Sequence, residues 1–271
     1  MPLTRSRLLP VSRSCLFFDG VSQYAVVGIQ PDGSGKPFTV YGWSEISVEY
    51  LVYPVSPKAL EGYRSLAFIG DVWDSKVSIS TYSDYPTNYS QYWITFDARA
   101  PDGSLVRYQY AVSGLVNTWA HVATTFSADR TVRHYVNASR VYSATVPSNY
   151  VTVLEQNPDQ APVPARLKRF TLGASTYIGG YMTVKIGYAR IYSRALTDEE
   201  ILWNFYYPDN PVRNGLVLWL HWDSIDTAAG KWYDKSGFGN HATLYNNPVK
   251  EDVLLPPKRV LSPTRTLTPV R

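Results

Sequence analysis

Between Cys15 and Tyr192 the chain repeatedly alternates apolar and polar positions with a period of two, and turn residues interrupt it every few positions. In "FTVYGWSEISVEYLVYP", Ile46, Val48, Tyr50 and Val52 fall on one side. Glu45, Ser47, Glu49 and Leu51 fall on the other, and Pro54 closes the run. That alternation is the signature of a β-strand, whose successive side chains point to opposite faces. "CLFFDGVSQYAVVG" predicts two short strands about an Asp-Gly turn, and "SLAFIGDVW" and "KVSISTYS" each predict one. "YWITFDARAPDGSLVRYQYAV" predicts a strand pair bent at Pro101-Asp102-Gly103. "WAHVATTFSADRTVRHYVNASRVYSATVP" predicts three strands, turning at Ala128-Asp129 and Asn137-Ala138. One stretch, "LTDEEILWNFYY", has helical spacing instead: Thr197 caps, Glu200 stands three residues on, and Ile201, Leu202 and Phe205 form the apolar side. Residues 149–166 are a Pro-rich loop, and no tandem repeat is visible. The expected class is all-β, a sandwich with one short helix near 197–206.

Composition agrees and adds limits. The 271 residues are 45% hydrophobic and 18% charged, enough for one sizeable core. Twenty-two Tyr, 19 Pro and 17 Gly suit strands and turns. The single cysteine, Cys15, excludes an internal disulfide and reads as a small buried residue. No apolar run reaches membrane-spanning length, and no secretory signal is recognisable, so the sequons at Asn88 and Asn137 carry no weight. The net charge of +4 is uneven. Residues 1–14 hold Arg5, Arg7 and Arg13 and no acid, residues 249–271 hold five basic groups against two acids, and the body between is slightly acidic. Both ends are rich in Pro, Ser or Thr, and are expected to be flexible basic arms. They suit docking onto a neighbouring subunit or, through phosphates, onto nucleic acid.

Glu45 and Glu49 raise a chemical question, because two carboxylates on one strand face are what a glycosidase uses. A regular strand, however, sets positions four apart at roughly 13 Å, whereas retention of configuration needs carboxyls about 5–5.5 Å apart. The four histidines, His121, His134, His221 and His241, include no pair at zinc spacing, and no phosphate loop or nucleophile elbow is present.

Several segments together resemble laminin-G-like domains: "LFFDGVSQYAVV", "ISVEYLVYP", "NTWAHVATTFSADRTVRHYVNASRVYSA" and "IGYARIYSRALTDEEI", in order over residues 15–206. The resemblance implies a concanavalin A-like jelly roll of two antiparallel sheets. "GLVLWLHWDSIDTAAGKWYDKSGFGNHATLYNN" (215–247) also resembles the family, where it usually opens the domain; here it follows the rest. The expectation is therefore one domain over 15–248, flanked by arms 1–14 and 249–271, with Gly215–Leu220 pairing beside Ile186–Tyr192. A truncated second domain is the alternative. Two departures stand out. Gln23 replaces a common Asp, which weakens a calcium site drawn by analogy from Asp19, Asp71 and Asp74. Ala138 replaces the Gly of an Asn-Gly turn, so a wider loop than a two-residue hairpin is expected there. Family-16 glycoside hydrolases share the fold and carry a Glu-x-Asp-x-(x)-Glu strand; "EISVE" has Ser47 at the central position, and a hydroxyl cannot supply that charge.

The implied function is a non-catalytic glycan-binding or adhesion module on a surface or particle, such as a virion or envelope component. The ligand site is expected in "GDVWDSKVSISTYSDYPTNYSQYW", which offers aromatic faces beside hydroxyl-binding groups: Trp73, Asp71, Asp74, Tyr85, Asn88 and Tyr89. Two other readings stay open, a capsid-type structural subunit that self-associates through its basic termini and a family-16-like hydrolase. Catalytic residues, a resident metal and a cofactor are expected to be absent, with calcium the single exception considered.

Overall fold

The computed structural model describes residues 11–28, 35–55, 64–71, 74–83, 91–162, 164–175 and 180–255. The strands, in chain order, are β1 (Val11–Asp19), β2 (Tyr24–Gly28), β3 (Ile46–Pro54), β4 (Arg64–Asp71), β5 (Val77–Ser83), β6 (Gln91–Arg99), β7 (Leu105–Ser113), β8 (Ala120–Phe126), β9 (Thr131–Val136) and β10 (Ser139–Thr145). They continue as β11 (Arg169–Leu172), β12 (Thr183–Tyr192), β13 (Leu216–Asp226), β14 (Lys231–Asp234), β15 (Ala242–Tyr245) and β16 (Val249–Leu255). Helix α1 (Pro164–Leu167) is a single turn, and α2 (Asp198–Tyr206) is the helix expected from the periodicity. Every strand pairing is antiparallel.

Two layers face each other. The first runs β10-β9-β8-β3-β12, and the long β12 then divides its free edge, giving Leu16–Asp19 of β1 one half and β13 the other. The second runs β14-β15-β2-β11-β4-β5-β6-β7, and β13–β14 pairing joins the layers at one margin. Alternation decides what lies between them. Ile46, Val48, Tyr50 and Val52 of β3 face Ile79 of β5 and Tyr92, Ile94, Phe96 and Ala98 of β6 in one apolar core. Phe96 stacks on Phe126 across the gap with ring centroids 4.8 Å apart, and the Tyr50 hydroxyl meets Thr81 Oγ1. Each large apolar side chain so buried stabilises the fold by about 1.5–3 kcal/mol.

The ribbon after α2 lies where the sequence places it. Ala189, Arg190, Ile191 and Tyr192 pair with Leu220, Trp219, Leu218 and Leu216. Thr197 Oγ1 accepts from the Glu200 amide while the Glu200 carboxylate accepts from the Thr197 amide, the expected reciprocal cap. Arg194 clamps that same carboxylate at 2.6 and 2.7 Å.

Three expectations need correction. Residues 11–14 and 249–255 are not loose arms: Val11 to Phe17 pair with Leu255 to Val249, and Lys185 of β12 reaches across to Glu251 at 2.7 Å. Docking of Leu16–Asp19 onto β12 holds β1 in place, and its outer edge then becomes a template for β16. The turn at Asn137-Ala138 is the tight hairpin. Val136 pairs directly with Ser139, and Asn137 and Ala138 take φ of 50° and 63°. Ladder bonds on both sides enforce a left-handed Ala at a cost of roughly 1 kcal/mol. Residues 149–166 are more than a loop, because they hold a 3-10 turn (Pro158–Gln160) and α1, and they plug the sandwich with Val153, Leu154 and Ala161.

Candidate functional site

The two faces turned away from the core differ in character. On the first sheet, Ser47 and Glu49 of β3 point outward into a lid made by α2 and the segment that follows it. Glu49 is fully buried. Its Oε1 accepts from Arg190 Nη1 at 2.7 Å and Asn204 Nδ2 at 3.0 Å, and its Oε2 from His121 Nε2 at 3.2 Å. Burial alone would raise this carboxyl, but Arg190 and His121 outweigh it and hold the group well below the usual carboxylate range. Glu45 accepts from the backbone amides of Ala128 and Ala195, and Ser47 Oγ bridges Arg194 O and the Leu196 amide. All three polar groups of "EISVE" therefore brace the lid. His134 is also structural: burial lowers it to about 4, and its ring bonds Thr124 and the Tyr108 carbonyl. Cys15 is buried, and burial pushes its thiol up to about 12.

The outer face of the second sheet is built differently. Val77, Ile79 and Thr81 of β5 face the core, so Ser78, Ser80 and Tyr82 face out; on β6 the outward set is Trp93, Thr95 and Asp97, on β7 Arg107, Gln109 and Ala111. Register stacks these into rows across the strands: Ser78–Asp97–Arg107, Ser80–Thr95–Gln109 and Tyr82–Trp93–Ala111. The middle row continues through Phe68 of β4 and Thr171 of β11 to Val26 of β2 and Thr243 of β15. Tyr24 and Tyr245 stack at 4.5 Å, with Tyr181 alongside at 5.8 Å. Seven strands at about 4.8 Å spacing give this face a width of roughly 29 Å.

Its floor carries unmet hydrogen-bonding capacity. Ser80 and Thr95 bond each other at 2.7 Å, and Ser78 Oγ donates to Asp97 Oδ2 at 2.6 Å. Among the described residues, Asp97 Oδ1, Gln109 Oε1 and Thr171 Oγ1 are buried and have no hydrogen-bond partner; Arg107 Nε stands 3.6 Å from the first. Burial pushes the Asp97 carboxyl up to about 6, against the opposing pull of Ser78 and Arg107. Buried polar atoms without partners are uncommon and are often completed by a ligand or by water. Arg107 also lies over the Tyr82 ring at 5.9 Å.

Of the expected ligand residues, Trp73, Tyr85, Asn88 and Tyr89 lie outside the described residues. Asp71 and Asp74 are brought together at the end of β4, where Arg166 Nη1 reaches both carboxylates, at 3.3 and 2.5 Å, and Ser75 donates twice to Asp71. A guanidinium thus fills the place a cation would take. Asp19 is elsewhere, its Oδ1 accepting from the Val21, Ser22 and Gln23 amides. The three aspartates considered for calcium do not converge, and among the described residues no group of three or more His, Cys, Asp or Glu is arranged to hold a metal ion. The aromatics of that stretch divide, Tyr92 into the core and Tyr82 onto the outer face. The sheet-face set (Ser78, Ser80, Thr95, Asp97, Arg107, Gln109) escaped the sequence reading, although the alternation of "KVSISTYS" with "YWITFDAR" and "LVRYQYAV" contains it.

No helix among the described residues is long and apolar enough to cross a membrane. No curated protein matches the chain by sequence. Among solved structures, a candidate carbohydrate-binding protein from Bacteroides ovatus aligns with a TM-score of 0.58 at 16% identity. The alignment covers 91% of this chain, which spans 61% of that one. A heptameric SAP-like pentraxin from Limulus polyphemus aligns more weakly, with a TM-score of 0.44 at 11% identity over 71% of this chain and 82% of that one. The laminin G profile of the concanavalin A-like lectin/glucanases superfamily matches residues 19–202, well over half of the sequence, and the chain belongs to that superfamily.

Proposed function

We propose that the protein is a non-catalytic glycan-binding module whose ligand lies across the outer face of the second sheet. One observation carries this reading: among the described residues three buried polar atoms, Asp97 Oδ1, Gln109 Oε1 and Thr171 Oγ1, stand without hydrogen-bond partners on a face that also carries the half-buried Trp93. Sugar hydroxyls complete such atoms, and the C–H faces of pyranose rings pack on an indole. A width of roughly 29 Å takes several sugar units laid across the strands. The superfamily and the described ligand class of the Bacteroides ovatus relative fit this reading.

Hydrolysis is disfavoured on geometry. Glycoside cleavage needs a pair of carboxyls, and Asp97 is the single one that β5, β6 and β7 put on this face. Glu45 and Glu49 are committed to bonds on the opposite sheet. Attachment of a particle or cell to a glycosylated surface is the use this activity implies.

A glycan array, followed by calorimetry on the best ligand, tests the proposal. Trp93→Ala and Gln109→Ala are expected to weaken binding at least tenfold. Tyr85→Ala and Trp73→Ala on the same array measure what the 71–92 segment adds. A protein that binds no glycan, or whose binding is untouched by both sheet-face variants, refutes the assignment.

A further inference from the structure

Further along β3 than Glu49, Tyr53 points to the same outer face of the first sheet, because Val52 beside it faces the core. Register sets a row of side chains there. Tyr53 pairs with Lys185 of β12, Lys185 with Phe17 of β1, and Phe17 with Val249 of β16. Val184, Ile186, Leu16 and Phe18 face the core, so Lys185 and Phe17 face out with Tyr53. Trp119, just ahead of β8, extends the row at its other end, its ring 5.4 Å from that of Tyr53.

Contacts along the row are direct. Lys185 Nζ sits between two rings, 5.8 Å from the Tyr53 centroid and 5.9 Å from that of Phe17, and meets Glu251 of β16 at 2.7 Å. The bond to Glu251 holds the ammonium above its usual range, so it stays charged. Trp119, Tyr53 and Phe17 are half-buried and Val249 is 50% exposed, so the row keeps surface open to solvent. The next row inward, His121, Leu51 and Tyr188, is buried. The open strip is therefore about one side chain wide. From Trp119 to Phe17 it spans three strand spacings, roughly 14 Å.

Its chemistry selects the occupant. Lys185 and Glu251 cancel, so the strip has no net pull on an ion. Its rings offer apolar faces on either side, and the ion pair between them offers N–H donors and carboxylate oxygens. A ligand that matches is uncharged and combines C–H faces with hydroxyls, as a neutral saccharide does. A stable protein partner covers about 800 Å² on each side, far more than so narrow a strip presents.

We propose that Trp119, Tyr53, Lys185, Phe17 and Glu251 form a second saccharide site, for a short neutral oligosaccharide laid across the strands of the first sheet. The choice of a saccharide rests on the glycan-binding reading above, whereas the position of the site does not. With sites on opposite sheets, one chain can join two glycans.

Two-dimensional NMR of the indole Nε1–H signals of the full chain tests this, because Trp93 reports one sheet and Trp119 the other. The probes are cellotetraose, laminaritetraose, maltotetraose and mannotetraose. At least one is expected to shift the Trp119 signal saturably. Tyr53→Ala and Phe17→Ala should each weaken that binding at least tenfold and leave the Trp93 response unchanged. Lys185→Gln, which keeps the fold's packing, should weaken it at least threefold. Tetragalacturonate, which is anionic, should bind there no more tightly than the neutral probes. A Trp93 signal that moves while Trp119 stays still overturns the second site and leaves the first; movement of Trp119 alone does the reverse. Stillness at both refutes both. The second site also falls if Trp119 shifts survive in Tyr53→Ala and Phe17→Ala, or if its signal moves with protein concentration alone, which marks a second copy on the strip.

Discussion

Replacing Asp97 with asparagine isolates what one buried carboxylate does to the fold. Asp97 is 1% exposed, with one oxygen bonded to Ser78 and the other without a hydrogen-bond partner among the described residues. Its carboxyl is raised from 3.8 to about 6. An acid whose folded pKa lies above its unfolded one holds more protons when folded, so its stabilising contribution is complete below about pH 3.8. That contribution is lost as pH rises through about 6. A shift of about two units corresponds to roughly 3 kcal/mol between these limits. Asparagine keeps the shape and removes the ionisation. It gives up a loose contact with Arg107, whose side chain is one-third exposed and 3.6 Å away, worth under about 1 kcal/mol. Asp97→Asn is therefore expected to be more stable than the parent by about 1–3 kcal/mol at pH 7.5 and near parity at pH 4. Urea unfolding followed by tryptophan fluorescence at several pH values reads both numbers. A variant that is less stable at pH 7.5, or a difference that does not change between pH 4 and 7, refutes the reasoning.

Glu49→Gln should destabilise the protein by about 3–5 kcal/mol, because it leaves the Arg190 guanidinium buried without its counter-charge; calorimetric unfolding at pH 7 reads the loss, and a change under 1 kcal/mol contradicts the buried pair. Ala138→Gly should stabilise by about 0.5–1 kcal/mol, since glycine takes the 63° φ without strain. Packing of the Ala138 methyl against the cluster that contains Tyr135 and Leu196 sets the upper limit, and a lower urea midpoint in the glycine variant goes against it.

Much of the architecture was legible because it is written locally. The Thr197–Glu200 box and the alternation of Ile46 to Val52 need no knowledge of distant residues. Pairing of the late Leu216–Leu220 ribbon with β12 followed from a domain resemblance and from the inability of some 33 residues to bury a core alone. The errors are tertiary. "VSRS" and "KEDV" look like solvated chain until β12 fixes β1 and its edge recruits β16. Ala138 looks unsuited to a left-handed turn until the Val136–Ser139 pair leaves it no alternative. The sheet-face set went unseen for a related reason. Tyr and Asp density marks residues 71–92 at a glance, whereas Ser78, Asp97 and Arg107 become neighbours only once two hairpin registers are set.

The β1–β16 ribbon has a mechanical consequence. Val11 sits directly opposite Leu255, so these two points lie side by side at one end of the ribbon. Tension applied between them loads the antiparallel ladder as a zipper, with hydrogen bonds parting one after another instead of sharing the force. The ribbon should therefore yield at low pulling force, well before the sandwich behind it. Peeling would lay bare Cys15, which pairs with Glu251 just before β1 docks onto β12, and turn a silent thiol into a reporter of strain.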